Sequence, residues 1–494
     1  MRSASAGEVV LDEGLSASAH LHRVLTATVD DHPEVFDDVR LWTSARDLRD
    51  RYAELLPEFE AVRADSQHRC ELAAEIAANA RSVFAWRTGS GEIPLAEHLA
   101  EPADPLPLES RALRGNGGMR PRVPRGGVEL EGDELIGYAD ALVARGSASP
   151  AVADAVAWVV AQAAGDRVDL SGRRVVVLGA AAELAPSRLW LEGGADVLWI
   201  DTVGPPPDLL ESDDLAGSVH WVAEGADLLA DTRRIRATVE EFAQGEPVDM
   251  GLYAYAPGQV REWRLAGAMN AIVDALAVGS VGNVTMLVSA TTCGVLTPEE
   301  VEGETRRRED RPRWQAVLDA AGLLGKGGGH VRHGDTCANR GIVEIQGTSY
   351  QAAQYLGKLM AAEAWATATG DRSMHVSANT AGISRTASVR HPVFDTAFGG
   401  AAAFAVETFE PATTAALNAL LTLRDRLVAA EQTPAADDET SIQDRARALS
   451  AARVHGGVYQ LPYPIGPTLK VATALGVAKD PRRIASLVRR KRAT

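Results

Sequence analysis

The pattern of apolar and polar positions divides the chain near residue 171. Beyond it, 173–178 is a short run rich in β-branched apolar residues, as expected of a strand buried on both faces. It passes directly into Gly179, where the backbone must turn tightly. Leu184, Leu189 and Leu191 then recur at helical period, Gly193-Gly194 stops that helix, and 195–200 reads as a second strand closing on Asp201. Strand-like runs at 219–222, 248–253, 283–288 and 374–377 alternate with helical segments at 232–242, 262–276 and 349–366. Sustained alternation of this kind predicts an α/β fold with a doubly wound parallel sheet and right-handed crossovers.

The first 150 residues carry little strand signal. Two stretches, 45–62 and 68–86, place apolar residues at helical spacing, and a Pro- and Gly-rich stretch over 101–127 marks a linker or domain edge. The expected organisation is a helical accessory domain over 1–150, a Rossmann-like dinucleotide-binding core over 151–410 and a C-terminal helical extension over 411–494. An insertion at 297–346 interrupts the core, and its glycine-rich half, 325–334, suits a mobile lid. Residues 456–463 (GGVYQLPY) are expected to supply a last strand.

Composition narrows the function classes. A chain of 494 residues with 46% hydrophobic content can bury cores for two or three domains. The net charge of −17 argues against general nucleic-acid affinity, which needs a positive surface. The basic cluster at 482–492 reads as a solvated helix end. Three scattered cysteines give no disulfide framework and fit a reducing compartment. No leader and no uncharged run of spanning length is expected. The expectation is a cytoplasmic protein, a homo-oligomer, with a small-molecule substrate and neither nucleic acid nor membrane as partner.

The order strand, Gly179, helix, strand, Asp201 has a chemical meaning. A helix N-terminus offers free N–H groups to a pyrophosphate, and a carboxylate after the next strand accepts bonds from ribose hydroxyls. Gly179, Ala180, Glu183 and Leu184 would line that turn. The usual second and third glycines are absent, and Glu183 stands where a glycine normally lets pyrophosphate approach. His330, His333, Asp335 and Cys337 are metal-capable types, but their spacing matches no common zinc pattern, so no metal is expected.

Taken in order, four further stretches resemble the short-chain dehydrogenase/reductase superfamily over about 171–390, less the insertion. They are Ala226-Asp227, the segment DMGLYAYA from Asp249 to Ala256, WRLAGAMN with Trp263 seven residues before Asn270, and HVSANTAGISRT from His375 to Thr386. The resemblance implies Asp227 beside an adenine ring, Ala254, Tyr255 and Ala256 along the cofactor, and Gly382 and Thr386 near the nicotinamide. It also implies a proton relay: Asn270, a hydroxyl from Ser289, Thr291 or Thr292, and Tyr350 as general acid/base. In such a family a lysine four residues after the tyrosine lowers the phenol's pKa. Here that position is Gln354, and Lys358 follows one turn later, displaced by about 80° on an α-helix; Tyr355 with Lys358 is a second usable pair.

The chain therefore reads as an NAD(P)-dependent oxidoreductase acting on a carbonyl or an activated double bond. NAD(H) is expected over NADP(H), because Asp201 would repel a 2′-phosphate. The alternative is a non-redox nucleotide-binding or regulatory protein, or an NAD-retaining lyase or epimerase, on the same fold; Glu183 and Gln354 favour it.

Overall fold

The computed structural model describes residues 7–37, 39–163, 168–258, 260–370, 374–387, 392–431, 439–449 and 451–479; the basic cluster at 482–492 lies outside them. The main sheet has eight strands: β1 (Leu108–Ala112), β2 (Arg174–Leu178), β3 (Asp196–Ile200), β4 (Ser218–Val222), β5 (Val248–Leu252), β6 (Val281–Ser289), β7 (His375–Ala381) and β8 (Arg453–Val454). Their order is β8-β7-β6-β5-β2-β3-β4-β1. Every neighbouring pair is parallel except β1 with β4. From β2 the chain builds outward through β3 and β4, then returns to β5 on the other side of β2 and builds the opposite way. The order reverses between β2 and β5, and a crevice at the carboxyl ends of such strands is where open α/β sheets bind ligands.

The strands are apolar throughout because both faces are covered. Val176, Leu178, Leu198 and Ile200 enter one buried cluster, while Val175, Val177, Val197 and Trp199 enter another on the opposite face. The period of two explains both assignments. The first cluster is roofed by the helices Ala17–Asp31, Ala45–Asp65, Arg69–Arg81 and Arg261–Ala275, through Leu21, Leu55, Ile76 and Trp263. The second is roofed by Gly132–Ala144, Pro150–Gln162 and Pro411–Glu431, through Leu142, Val156 and Leu420. The N-terminal helices thus form a layer on the sheet and share its core. No described helix is long and apolar enough to cross a membrane.

Several expectations change. The first 150 residues are not strand-poor: β1 joins the sheet, and Glu8–Leu11, Phe84–Thr88 and Gly91–Pro94 form a small antiparallel sheet. β1 (LESRA) lies on an exposed edge, so it never needed the apolar alternation that marks a half-buried strand. The helix after Gly179 begins at Ser187 rather than near Leu184, and runs only to Glu192. Pro186 disfavours helical backbone at Ala185, so the helix cannot start before the proline.

The last strand is Arg453–Val454, ahead of 456–463; Gly456 and Gly457 turn with φ of +61° and +86°, and Val458–Gln460 is a 3₁₀ turn. The glycine-rich half of the insertion is packed down rather than loose. A Cβ on Gly329 would fall 1.7 Å from the Leu461 carbonyl oxygen, so glycine is there for close contact, and the segment continues into the hairpin His330–His333 and Thr336–Asn339. Within that hairpin His330 pairs through Nδ1 with Glu304.

Candidate active site

The carboxyl end of β6 supplies a turn of hydroxyls. Ser289 Oγ lies 2.8 Å from Thr291 Oγ1, and Thr291 Oγ1 donates to Gln346 Oε1 at 3.0 Å. With Thr291's proton committed to the glutamine, the Ser289 hydroxyl donates to Thr291, and the chain of bonds runs from serine to amide oxygen. Thr292 Oγ1 donates to Gln351 Oε1 at 2.8 Å, and Gln351 Nε2 returns a bond to the Thr291 carbonyl at 3.0 Å. The Ser289 amide donates to Gln354 Oε1 at 3.0 Å. Three glutamines therefore clamp this turn, Gln346 from the 3₁₀ turn Glu344–Gln346 and Gln351 and Gln354 from the helix that follows. Gln346 and Gln351 escaped the sequence reading, although their spacing with Gln354 around Tyr350 is the pattern that could have shown them.

Tyr350 is half-buried and faces the same hydroxyls. Burial pushes its phenol above the usual value; side-chain hydrogen bonds with Ser289 and Thr291 work against that shift, and Glu262 adds to it. The ring meets Tyr255 edge to face, with centroids 6.3 Å apart, and Tyr255 is 42% exposed at the end of β5. Ser289, Thr291, Tyr350 and Tyr255 thus converge past the carboxyl ends of β5 and β6, on the side of the sheet where the strand order reverses next to β5.

The lysine does not join them. Tyr350 sits in the α-helical turn Gly347–Gln351, and Ala352–Met360 continues as a π-helix with i→i+5 bonds. Lys358 Nζ donates to the Leu287 carbonyl at 2.7 Å, and burial lowers its pKa to about 8. Gln354, four residues after the tyrosine, is the side chain that reaches Ser289. The Tyr355 pair is also excluded: its hydroxyl is buried and donates to Glu60 Oε2 at 2.6 Å. Asn270 Nδ2 donates to the Gly357 carbonyl at 2.7 Å, fastening Arg261–Ala275 to the π stretch.

Around the Gly179 turn most polar groups are used inside the chain. Gly179 has φ of +86°, and a Cβ there would lie 2.3 Å from the Ala254 nitrogen, so only glycine lets β2 turn against the end of β5. The amides of Gly179 and Ala180 bond the Ile200 carbonyl, and Ala181 donates to Asp201 Oδ2 at 3.0 Å. Leu184 packs against the second apolar cluster. Asp227 Oδ1 accepts from the Leu229 amide at 2.9 Å, closing the turn before Thr232–Ala243. Gly382 lies against Phe409, which a Cβ would approach to 2.6 Å, and the Thr386 amide bonds the Ser384 carbonyl. Ala254 and Ala256 are partly exposed along the crevice. Glu183 Oε2 accepts from the Ala387 amide at 2.7 Å, bridging the turn to the loop after β7.

These groups fit a dinucleotide at its adenosine end. Asp201 is half-exposed and, having about four lone-pair sites, keeps acceptor capacity for a ribose diol beside its bonds to Ala181 and Thr202. The helix Ser187–Glu192 is short and starts late, and the Ala387 amide holds the Glu183 carboxylate. No protein-family model and no curated protein matches the chain.

Proposed function

We propose that the chain is an NAD(P)-dependent oxidoreductase of short-chain dehydrogenase/reductase type, on a Rossmann-like core, reducing a carbonyl or activated double bond with Tyr350 as proton donor. The observation that carries this reading is the convergence of Ser289, Thr291 and Tyr350 at the sheet's carboxyl edge, beside the strand-order reversal. The nicotinamide would supply hydride. The chain's own part is to hold the substrate oxygen against the phenol, which the Ser289 and Thr291 hydroxyls position. A phenol kept above its usual pKa stays protonated at neutral pH, so it serves as a donor to a developing alkoxide and is a poor base for the reverse reaction. Asp201 would receive the adenosine ribose and favour NAD(H) over NADP(H).

Binding tests the reading directly. NADH should raise the melting temperature more than NADPH at equal concentration, and Asp201→Ala should narrow the difference, since a ligand that binds only the native state stabilises it. If neither nucleotide shifts the transition at millimolar levels, the redox reading is lost. A second reading, a non-redox nucleotide-binding or regulatory protein, is favoured by the Glu183–Ala387 bridge and the late helix.

The glutamine and the lysine separate in a second test. Gln354→Ala releases the Ser289 amide and should lower turnover, with the loss in kcat rather than in NADH affinity. Lys358→Met removes an amine bound to the Leu287 carbonyl and should leave the pH profile unshifted. A profile displaced to higher pH in Lys358→Met would mean that the amine tunes the phenol after all.

A further inference from the structure

Glu183 and Ala387 are 204 residues apart in the chain, both are exposed, and a hydrogen bond of 2.7 Å joins the turn after Gly179 to the loop after β7. A carboxylate on a backbone amide is the same chemistry as a phosphate oxygen on that amide. The turn has few other donors to give: the Gly179, Ala180 and Ala181 amides are bonded to Ile200 and Asp201. An anionic ligand entering beside Asp201 meets a negative side chain that already occupies its donor.

We propose that Glu183 is a displaceable latch on the phosphate subsite of this crevice, competing with the diphosphate of an adenosine-containing ligand for the Ala387 amide. The inference rests on the nucleotide reading above and adds to it a determinant of affinity. A diphosphate offers several acceptor oxygens where the carboxylate offers two, so it can replace Glu183 on this amide and make further contacts. While closed, it lowers affinity in two ways, by occupying the donor and by repelling phosphate. It acts on the phosphates alone, since the ribose is met by Asp201.

The test uses the full chain, its Glu183→Gln and Glu183→Ala variants, and two probes: adenosine, which lacks phosphate, and ADP-ribose, which carries the diphosphate. Calorimetry should show ADP-ribose binding at least about tenfold tighter in Glu183→Ala than in the unaltered chain, with Glu183→Gln between them, and adenosine affinity equal in all three. ADP-ribose bound by the variants and not by the unaltered chain is the strongest form of the same result. ADP-ribose affinity that is unchanged or weaker in Glu183→Ala overturns the latch and leaves the nucleotide reading standing. Adenosine affinity that rises along with that of ADP-ribose also overturns it, because the effect is then not on phosphate. If no chain binds either probe, the nucleotide reading itself fails, and the latch with it. The side chain is exposed and the unliganded melting temperature should be the same in all three, so a failure to fold would not mimic any of these results.

Discussion

Replacing Tyr350 by phenylalanine is expected to lower turnover by ~10²–10⁴-fold, the usual worth of a positioned general acid, while folding and NADH-induced stabilisation persist. The substitution removes one hydroxyl and keeps the ring that packs edge to face on Tyr255. It also leaves the bonds from Ser289 to Thr291 and from Thr291 to Gln346 in place, so the turn holds its shape. The pH profile gives an independent reading. Burial, aided by Glu262, holds the phenol above its usual value of 10.0 against the opposing pull of Ser289 and Thr291. Reduction should therefore stay level through neutral and mildly alkaline pH and fall only when the phenol ionises. A Tyr350→Phe protein with unaltered kcat would end the proton-donor assignment. Tyr355 could not take the role over, because its hydroxyl is committed to Glu60 in the core.

Removing the charge of Glu363 should cost about 3–5 kcal/mol of stability. Arg63 is wholly buried and bonds Glu363 with both terminal nitrogens, at 3.1 and 3.2 Å. Arg69 adds two bonds to the same carboxylate, at 2.8 and 3.1 Å, and Arg63 also reaches Glu60 at 2.8 and 3.0 Å. In Glu363→Gln the two guanidiniums remain in the core with only Glu60 to balance them, which leaves buried charge uncompensated. The urea midpoint should fall with little change in slope.

Acid sensitivity checks the same network. Burial alone would raise the Glu363 carboxyl, but Arg63 and Arg69 overcome it and lower the value from 4.5 to about 2. A depressed carboxyl stabilises the fold fully above its unfolded value, and that share is lost as pH falls from about 4.5 toward about 2. At about 1.4 kcal/mol per pKa unit the share is roughly 3 kcal/mol. Glu363→Gln should lose this part of the acid transition, so its stability relative to the unaltered chain should recover toward low pH. Equal midpoints for both proteins at pH 7 would show that the pairs contribute no net stability.

Particular residues show how far the sequence could be read. The strands β2, β3, β5 and β6 were visible because burial on both faces demands continuous apolar runs, and 173–178 can satisfy that demand in no other place. Gly179 was visible because an apolar strand running straight into a tight turn needs a residue that can take positive φ, here +86°. The hydroxyls Ser289 and Thr291 and the phenol of Tyr350 were visible as types in the right order. β1 was not visible, since an exposed edge strand leaves no apolar mark, and the late helix after Gly179 was readable only from Pro186, through a steric effect that periodicity does not register.

By itself the sequence determined the alternation of strands and helices, the place of the tight turn and the acid after β3, because local sterics and face-by-face burial act over a few residues. Tertiary structure alone decided which partners the polar side chains took. Whether Lys358 met Tyr350 or a strand carbonyl depended on the π-helical spacing of Ala352–Met360, which packing against Asn270 and the β6 edge holds in place. Which backbone amide the Glu183 carboxylate met depended on Ala387, 204 residues away. Hydrogen bonds and ion pairs are short-ranged, and the chain's path in space, not its spacing in sequence, brings their two ends within reach.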